Sequence, residues 1–588
     1  MGEADPGAAP TWLGRNVLET SPVAEFDFII VGAGSAGCLL ANRLSANPPA
    51  HRVLLVEAGG RDNWFWIRVP VGYLYTIANP PRTDWCFMTE PDPGLAGRSI
   101  IYARGRVIGG CSSINAMIHM RGQASDYELW AYATGDRRWL WDGPDGQTLA
   151  TYKELEDYFG GADDWHGAGG EIRVERPRVR WKKILDAWQD AAAELGIEPK
   201  EEFNRGDNSG SAYFHVNQKK RGRRWSMADA FLHPISRRPP NLTVYTQTQA
   251  LKLLLDDQVH DEQRRGAWTT AQHRATGVRL LKDGQIVDVR ARKEVILSAG
   301  AVGSPHLMQV SGLGPAELLT EHHVPVAVDL PGVGEKNLQD HLQIRSVYRI
   351  RGGARTVNTL YRNLITRAGM GIQYALLRSG PMTMPPSTLG GIREKKRPRP
   401  GQPPQSGVAC ATAVTAQVRR TSASLRGHHT LGLQPATHLA RPRADRRRGP
   451  ADPPEDLLQL PVHRRRPRHC RARTADDPAD HGGAGAGPLP TEEMLPGPQL
   501  VSDDDLQQAA RELGTTIFHP VGTCTMGAFD ARGLPPRSAA TVLDTDCRVF
   551  RVAGLRVVDA SAMPTITSGN TNAPVMLIAE RAARAIQD

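Results

Sequence analysis

Several things are scarce in this 588-residue chain, and each scarcity narrows what it can be. No run of about 18 apolar residues occurs, so a membrane-spanning helix is not expected. The seven cysteines form no C-x-x-C pair and no zinc-like spacing. That pattern fits free thiols in a reducing, cytoplasmic setting and predicts no metal site. The opening residues carry acids and prolines but no apolar core, so 1–24 read as a loose leader rather than a secretory signal. The sharpest absence is local. Between Arg393 and Pro490 there is no Phe, Tyr, Trp, Ile, Met or Asn. A stretch without aromatics and with few β-branched residues is not expected to build the strands of a packed domain.

The same stretch explains the charge. The net charge is +10, yet residues 391–490 hold 19 of the 72 Lys and Arg and only 8 of the 62 Asp and Glu. The positive excess is therefore confined there, and no aromatics are interleaved to stack on bases, so no nucleic-acid partner is expected. Two readings of 393–490 stand: a basic insert, or translation out of frame through a GC-rich gene.

What is present is concentrated in residues 26–59. An apolar run, Phe26–Val31, predicts a buried parallel strand. Gly32, Gly34 and Gly37 follow at G-x-G-x-x-G spacing, and an Ala- and Leu-rich helix is predicted from Ser35 to about Leu44. A second apolar run, Val53–Val56, ends in Glu57, twenty positions after Gly37. Strand, glycines, helix, strand and acid in that order make a dinucleotide-binding βαβ unit. The glycines allow a tight turn, close approach of pyrophosphate and close helix packing. The helix N-terminus offers N–H groups to phosphate, and Glu57 can accept from ribose hydroxyls.

Downstream, aromatics cluster at Trp64, Phe65, Trp66, Tyr73 and Tyr75. They suit a domain interface or a pocket wall. Gly105–Asn115 is a Gly- and Ser-rich loop fit for close backbone approach. Tyr152–Phe159 and Trp181–Leu195 have helical period. Val244–Leu255, Thr276–Leu281 and Glu294–Ser298 read as strands. Asp503–Leu513 reads as a helix with acids in its first turn, Ala562–Pro574 as a loop, and Val575–Ile586 as a closing helix.

Residues 26–60 and 104–122, with SAGAVGSPHLMQVSGLG to Gly314, HPVGTCTMG from His519 and VVDASAMPTITSGNTNAPVMLIAE from Val557, resemble one family in order. This is the glucose–methanol–choline (GMC) family of FAD-dependent alcohol oxidases and dehydrogenases, here nearest its choline dehydrogenase-like branch. The resemblance covers about 25–390 and 491–588. It implies an α/β fold: a discontinuous, Rossmann-like FAD domain plus an α+β substrate domain with an antiparallel sheet. The expected pieces are FAD domain 25–150, 241–332 and 541–588, and substrate domain 151–240 and 333–540. In the family, length between the flanking landmarks resembles that found here. The segment 393–490 thus replaces folded sequence rather than adding to it, which favours the out-of-frame reading.

The resemblance also implies roles. His519 would be the base that takes the hydroxyl proton while hydride leaves for flavin. Asn572 would be the second active residue, with Asn570 the competing assignment. Cofactor contacts are expected from Gly32, Gly34, Ser35, Ala36, Gly37, Glu57, Ala58, Arg104, Gly109, Gly110, Ser113, Asn115, Ala250, Ala299, Gly300, Asp559, Ala560, Asn570, Ala573, Pro574 and Val575. Some relatives attach FAD through a histidine that here is Ile114, and His119 lies five positions on, so non-covalent FAD is expected. The implied partners are a small alcohol and an electron acceptor (quinone, other carrier or oxygen), with room for peripheral contact at the inner membrane. Alternatives are an oxygen-using oxidase, and a flavin binder inactivated by the 393–490 segment.

Overall fold

The computed structural model describes residues 24–46, 51–80, 82–178, 183–219, 222–235, 241–257, 271–350, 360–361, 363–392, 412–415, 491–528 and 541–587. The leader as far as residue 23 and nearly all of 393–490 lie outside the described residues.

The molecule is built on an eight-stranded mixed sheet. Across it run Leu242–Tyr245, Val53–Val56, Glu25–Val31, Gln285–Leu297, His273–Lys282 and Thr248–Asp256. The first four are parallel neighbours, and the last three form an antiparallel meander. Leu555–Val557 adds in parallel to Val295–Leu297, bringing the C-terminal sequence back to the first strand's neighbour. Ile29, Ile30, Leu54 and Leu55 are fully buried, as unbroken apolar runs in parallel strands require. Each such side chain contributes roughly 1.5–3 kcal/mol of burial.

The helix Ser35–Ala46 lies against the closing helix Asn572–Gln587. The structure extends the predicted closing helix three residues toward its N-terminus. The helix Asp503–Leu513 begins where its acids predict, with Ser502 and Asp505 forming a reciprocal cap.

Three sequence readings change, two of them in the outlines of predicted elements. Val244–Leu255 is not one strand but two, Leu242–Tyr245 and Thr248–Asp256. The break falls at Gln247, whose φ is +54°. A side chain held in the left-handed region cannot continue a strand. Tyr152–Phe159 is a helix only to Leu155; Glu156–Tyr158 then pairs in parallel with Ile172–Val174.

On the substrate side, an antiparallel sheet joins Gly210–Tyr213, Ser387–Ile392 and Thr412–Thr415, with the helix Lys183–Glu194 packed beside it. Thr412–Thr415 lies inside the stretch expected to give no strands. Its sequence, TAVT, is locally β-branched, which suffices for four residues.

Candidate active site

The glycine turn and the Gly105–Asn115 loop touch. The Gly109 N–H donates to Ala33 O at 2.7 Å, and a Cβ on Gly110 would sit 2.7 Å from Gly34 Cα. A Cβ on Gly37 would lie 1.9 Å from Gly32 O, so helix and turn can approach only with glycine there. Gly34 differs. The nearest protein atom to its Cβ position, Ser298 O, is 3.8 Å away, so a methyl would fit there. Two glycine loops beside a helix N-terminus suit close approach of a phosphate-bearing cofactor.

Glu57 is buried, and its two oxygens accept the N–H groups of Ala33 (2.9 Å) and Gly59 (2.8 Å). Burial pushes its carboxyl up to about 7 against those bonds. Each oxygen keeps a lone pair for a ribose hydroxyl. Ala58 follows it directly. Across the sheet, Asp559 accepts the Gly300 N–H (2.8 Å) and the Ser304 hydroxyl (2.6 Å), tying Ala299–Gly300 to Asp559–Ala560. Burial raises the Asp559 carboxyl despite these donors. Ala250 lies on the strand Thr248–Asp256, opposite Leu280.

Several expected cofactor residues are occupied by protein. The Ser113 hydroxyl donates to Ile108 O at 2.7 Å. The Asn115 carbonyl oxygen accepts from the buried Arg224 at 2.8 Å. Arg104 turns its guanidinium to Phe518 O at 2.6 Å, one residue before His519.

The structure redirects the amide assignment. Asn572, expected beside His519, instead accepts the Ser35 hydroxyl at 2.7 Å where the first and last helices meet. The amide at the histidine is Asn570, whose Nδ2 lies 3.1 Å from His519 Nε2. The physical reason is the helix start. Asn572 is its first residue, so its side chain faces the neighbouring helix, while Asn570 remains in the loop and is free to reach across. Ala573, Pro574 and Val575 fill the first turn of that helix.

His519 has a second partner that sequence reasoning missed. Its Nδ1 lies 3.1 Å from His341 Nδ1. With the Asn570 amide donating to Nε2, the His519 proton sits on Nδ1 and is donated to His341. A backbone hydrogen bond with Thr567 raises the His341 pKa against its burial. This chain leaves Nε2 as the lone-pair nitrogen of His519. Burial, then His341 and Arg104, hold the His519 pKa well below its ordinary value; burial likewise lowers that of His341.

Asp340 anchors the loop. It accepts from the backbone N–H groups of His519 (3.0 Å) and His341 (2.8 Å), from Tyr102 OH (2.7 Å) and from Thr516 (2.5 Å). The available signal was VGEKNLQDH (333–341), where an acid and a histidine stand side by side. Ile114 is buried. His119 belongs to a different cluster, with Glu156 at 3.6 Å and Arg121, His166, Glu202 and His215 around it. Among the described residues no group of His, Cys, Asp and Glu is arranged to hold a metal.

Family profiles described as GMC oxidoreductase match residues 26–343 and 463–579. The chain belongs to the GMC oxidoreductase family. As a GMC oxidoreductase it is an FAD-dependent enzyme acting on CH–OH donors. It is 35% identical over 573 residues, 95% of each chain, to an alcohol dehydrogenase [acceptor] of Pseudomonas putida. It is 32% identical over 566 residues, again 95% of each, to an oxygen-dependent choline dehydrogenase of Brucella anthropi. Among solved structures, pyridoxine 4-oxidase from Mesorbium loti superposes with TM-score 0.67 at 25% identity, covering 95% of this chain and 99% of that one. An Aspergillus oryzae formate oxidase shares the fold, with TM-score 0.73 at 21% identity over 96% of this chain and 99% of its own.

Proposed function

We propose that this GMC oxidoreductase oxidises a small neutral alcohol to an aldehyde or ketone, with His519 as base and Asn570 as donor to the reacting oxygen. The carrying observation is the pair itself. An acceptor nitrogen and an amide donor stand 3.1 Å apart, with the imidazole tautomer set from behind by His341. A substrate hydroxyl entering here would displace the amide from the Nε2 lone pair, donating to Nε2 while accepting from the freed amide N–H. His519 Nε2 takes its proton, and the Asn570 N–H stabilises the negative charge growing on oxygen. Bound FAD supplies the hydride acceptor. Gly34, Ser35, Glu57, Gly109, Gly110, Gly300 and Asp559 are the residues proposed to hold it. Ile114 leaves that loop without a histidine for covalent attachment, so the flavin is proposed to be dissociable. Precipitated, denatured protein should then leave the yellow colour in solution; colour in the pellet would refute this.

The alcohol dehydrogenase, choline dehydrogenase and pyridoxine oxidase relatives support the substrate class. The local charges support a neutral substrate over a choline-like cation. The Arg104 charge acts on His519, lowering its pKa, while the Asp340 carboxylate is hydrogen-bonded by four donors of the protein itself. The proposed acceptor is a quinone, another carrier or oxygen. The test is anaerobic flavin bleaching across primary alcohols, polyols, aromatic alcohols and choline, followed by mixing with oxygen or a quinone dye. Bleaching by neutral alcohols ahead of choline is expected. Bleaching by none of them would overturn the proposal.

A further inference from the structure

The loop that carries Asn570 is gripped two residues earlier, at Ser568. Asp126 and Asn208 close on that serine from two separate segments, the helix Ala124–Thr134 and the loop leading into the strand Gly210–Tyr213. One carboxylate oxygen of Asp126 accepts the Ser568 N–H at 2.8 Å and its hydroxyl at 2.6 Å. The Asn208 amide donates to Ser568 O at 2.8 Å and to the hydroxyl oxygen at 3.1 Å. Ser568 thus commits both backbone groups and its side chain to two partners. The partners are themselves fixed. Both are buried, the Gln123 side chain donates to the Asn208 carbonyl oxygen, and the Gln123 N–H donates to the same Asp126 oxygen at 2.9 Å. The fit leaves no slack. Gly122 has a φ of +87°, and a Cβ there would come within 2.6 Å of the Asp126 carboxylate and 3.3 Å of Thr567 Cβ. A Cβ on Gly569 would stand 3.1 Å from Met120 Cβ. Asn570 follows at once, with its amide 3.1 Å from His519.

We propose that Asp126 and Asn208, acting through Ser568, are positioning residues for Asn570, fixing its amide where the reacting oxygen must find it. The inference rests on the proposed role of Asn570 as donor. Residues 567–572, TSGNTN, include no Val, Leu, Ile, Met or aromatic side chain that could anchor them in a core. Hydrogen bonds must therefore hold this loop, and bonds to a buried carboxylate are the stronger kind. The demand for precision is steep, since misplacing a reacting group by about 1 Å can cost roughly 10²-fold in rate. Asp126 also receives the N–H at the start of its own helix, so replacing it disturbs the helix as well as the loop. Ser568→Ala is the cleaner change. It removes the hydroxyl from both partners and keeps both backbone bonds.

The test compares four forms of the flavin-loaded full chain: unaltered, Ser568→Ala, Asn570→Ala and the two together. Dye reduction by the alcohol that bleaches the flavin best gives kcat and KM for each. Ser568→Ala should keep its flavin and hold KM within about two-fold while kcat falls roughly ten-fold or more. On the Asn570→Ala background the same change should cost less than about two-fold, because the group it misplaces is already gone. Equal losses on both backgrounds would mean that Ser568 acts otherwise than through Asn570, and would overturn the proposal. So would an unchanged kcat in Ser568→Ala beside a large loss in Asn570→Ala. Full kcat in Asn570→Ala would refute the donor role itself, and this inference with it. Should Ser568→Ala fail to retain flavin, Asn208→Ala takes its place, since it removes the same grip from the other side. Flavin loss in both would make the grip part of the cofactor site and overturn the proposal.

Discussion

At the scale of the residue, His519 is held neutral at ordinary pH, which is the state a base needs. Its pKa lies well below 6.5 through burial, His341 and Arg104. Protonation abolishes the base, so kcat/KM should be level from pH 7 upward on its acid side and fall only below pH 6.5. A pH profile with its acid limb above pH 7 would contradict the assignment. The two asparagines should separate. Asn570→Ala removes a donor to the reacting oxygen and should lower kcat by about 10²–10³. Asn572→Ala loses the bond to Ser35 and should mainly loosen flavin retention, with kcat of the loaded enzyme within about ten-fold. Steady-state kinetics beside flavin-to-protein ratios would show it, and the reverse pattern would restore Asn572. HPVGTC singled out the histidine as a candidate in the sequence. Which asparagine meets it was not legible there. That depends on where the last helix starts, and residues two apart in a loop look alike until one of them is in a helix.

At the scale of the element, the glycine turn gives a sharper test than the motif did. Gly37→Ala pushes a methyl to within 1.9 Å of Gly32 O, so the strand–helix packing itself must yield. That variant should lose stability as well as flavin. Gly34→Ala meets no protein atom nearer than 3.8 Å. It should fold with near-normal melting of the apoprotein but elute from gel filtration without flavin. Equal melting losses for both would mean that Gly34 is structural. Elements of this domain were legible because their apolar runs are long and unbroken, as at Phe26–Val31. The split of Val244–Leu255 was hidden, since Gln247 carries no turn signal of its own and its backbone conformation is imposed by the bonds of Gln247 and Thr248 to Gly59 and Glu57. Glu156–Tyr158 escaped for a similar reason. Three residues are too few for a period, and their parallel partner lies after a Gly-rich turn.

At the scale of the whole molecule, the flavin half and the substrate half differ in how far sequence could carry them. The FAD half is assembled from pieces that each bear a motif. The substrate half is cut by 393–490, where apolar patterning fails. The alcohol dehydrogenase relative aligns over 95% of both chains. Comparable lengths support replacement of folded sequence rather than insertion. Resequencing the gene should uncover compensating shifts near the ends of this stretch, and an uninterrupted frame with this translation would refute that. If the shift is real, repairing the frame should raise alcohol turnover while flavin content stays constant, because the cradle and the His519–Asn570 pair draw no residue from the stretch.

The hydrogen bond between Ser35 and Asn572 has a temporal consequence. Its two ends are 537 residues apart. A ribosome therefore completes the phosphate-facing turn minutes or seconds before it supplies the helix that closes it. Stable flavin capture is then expected late in synthesis, and chains truncated before Asn572 should retain less flavin than the full chain in a flavin-to-protein assay.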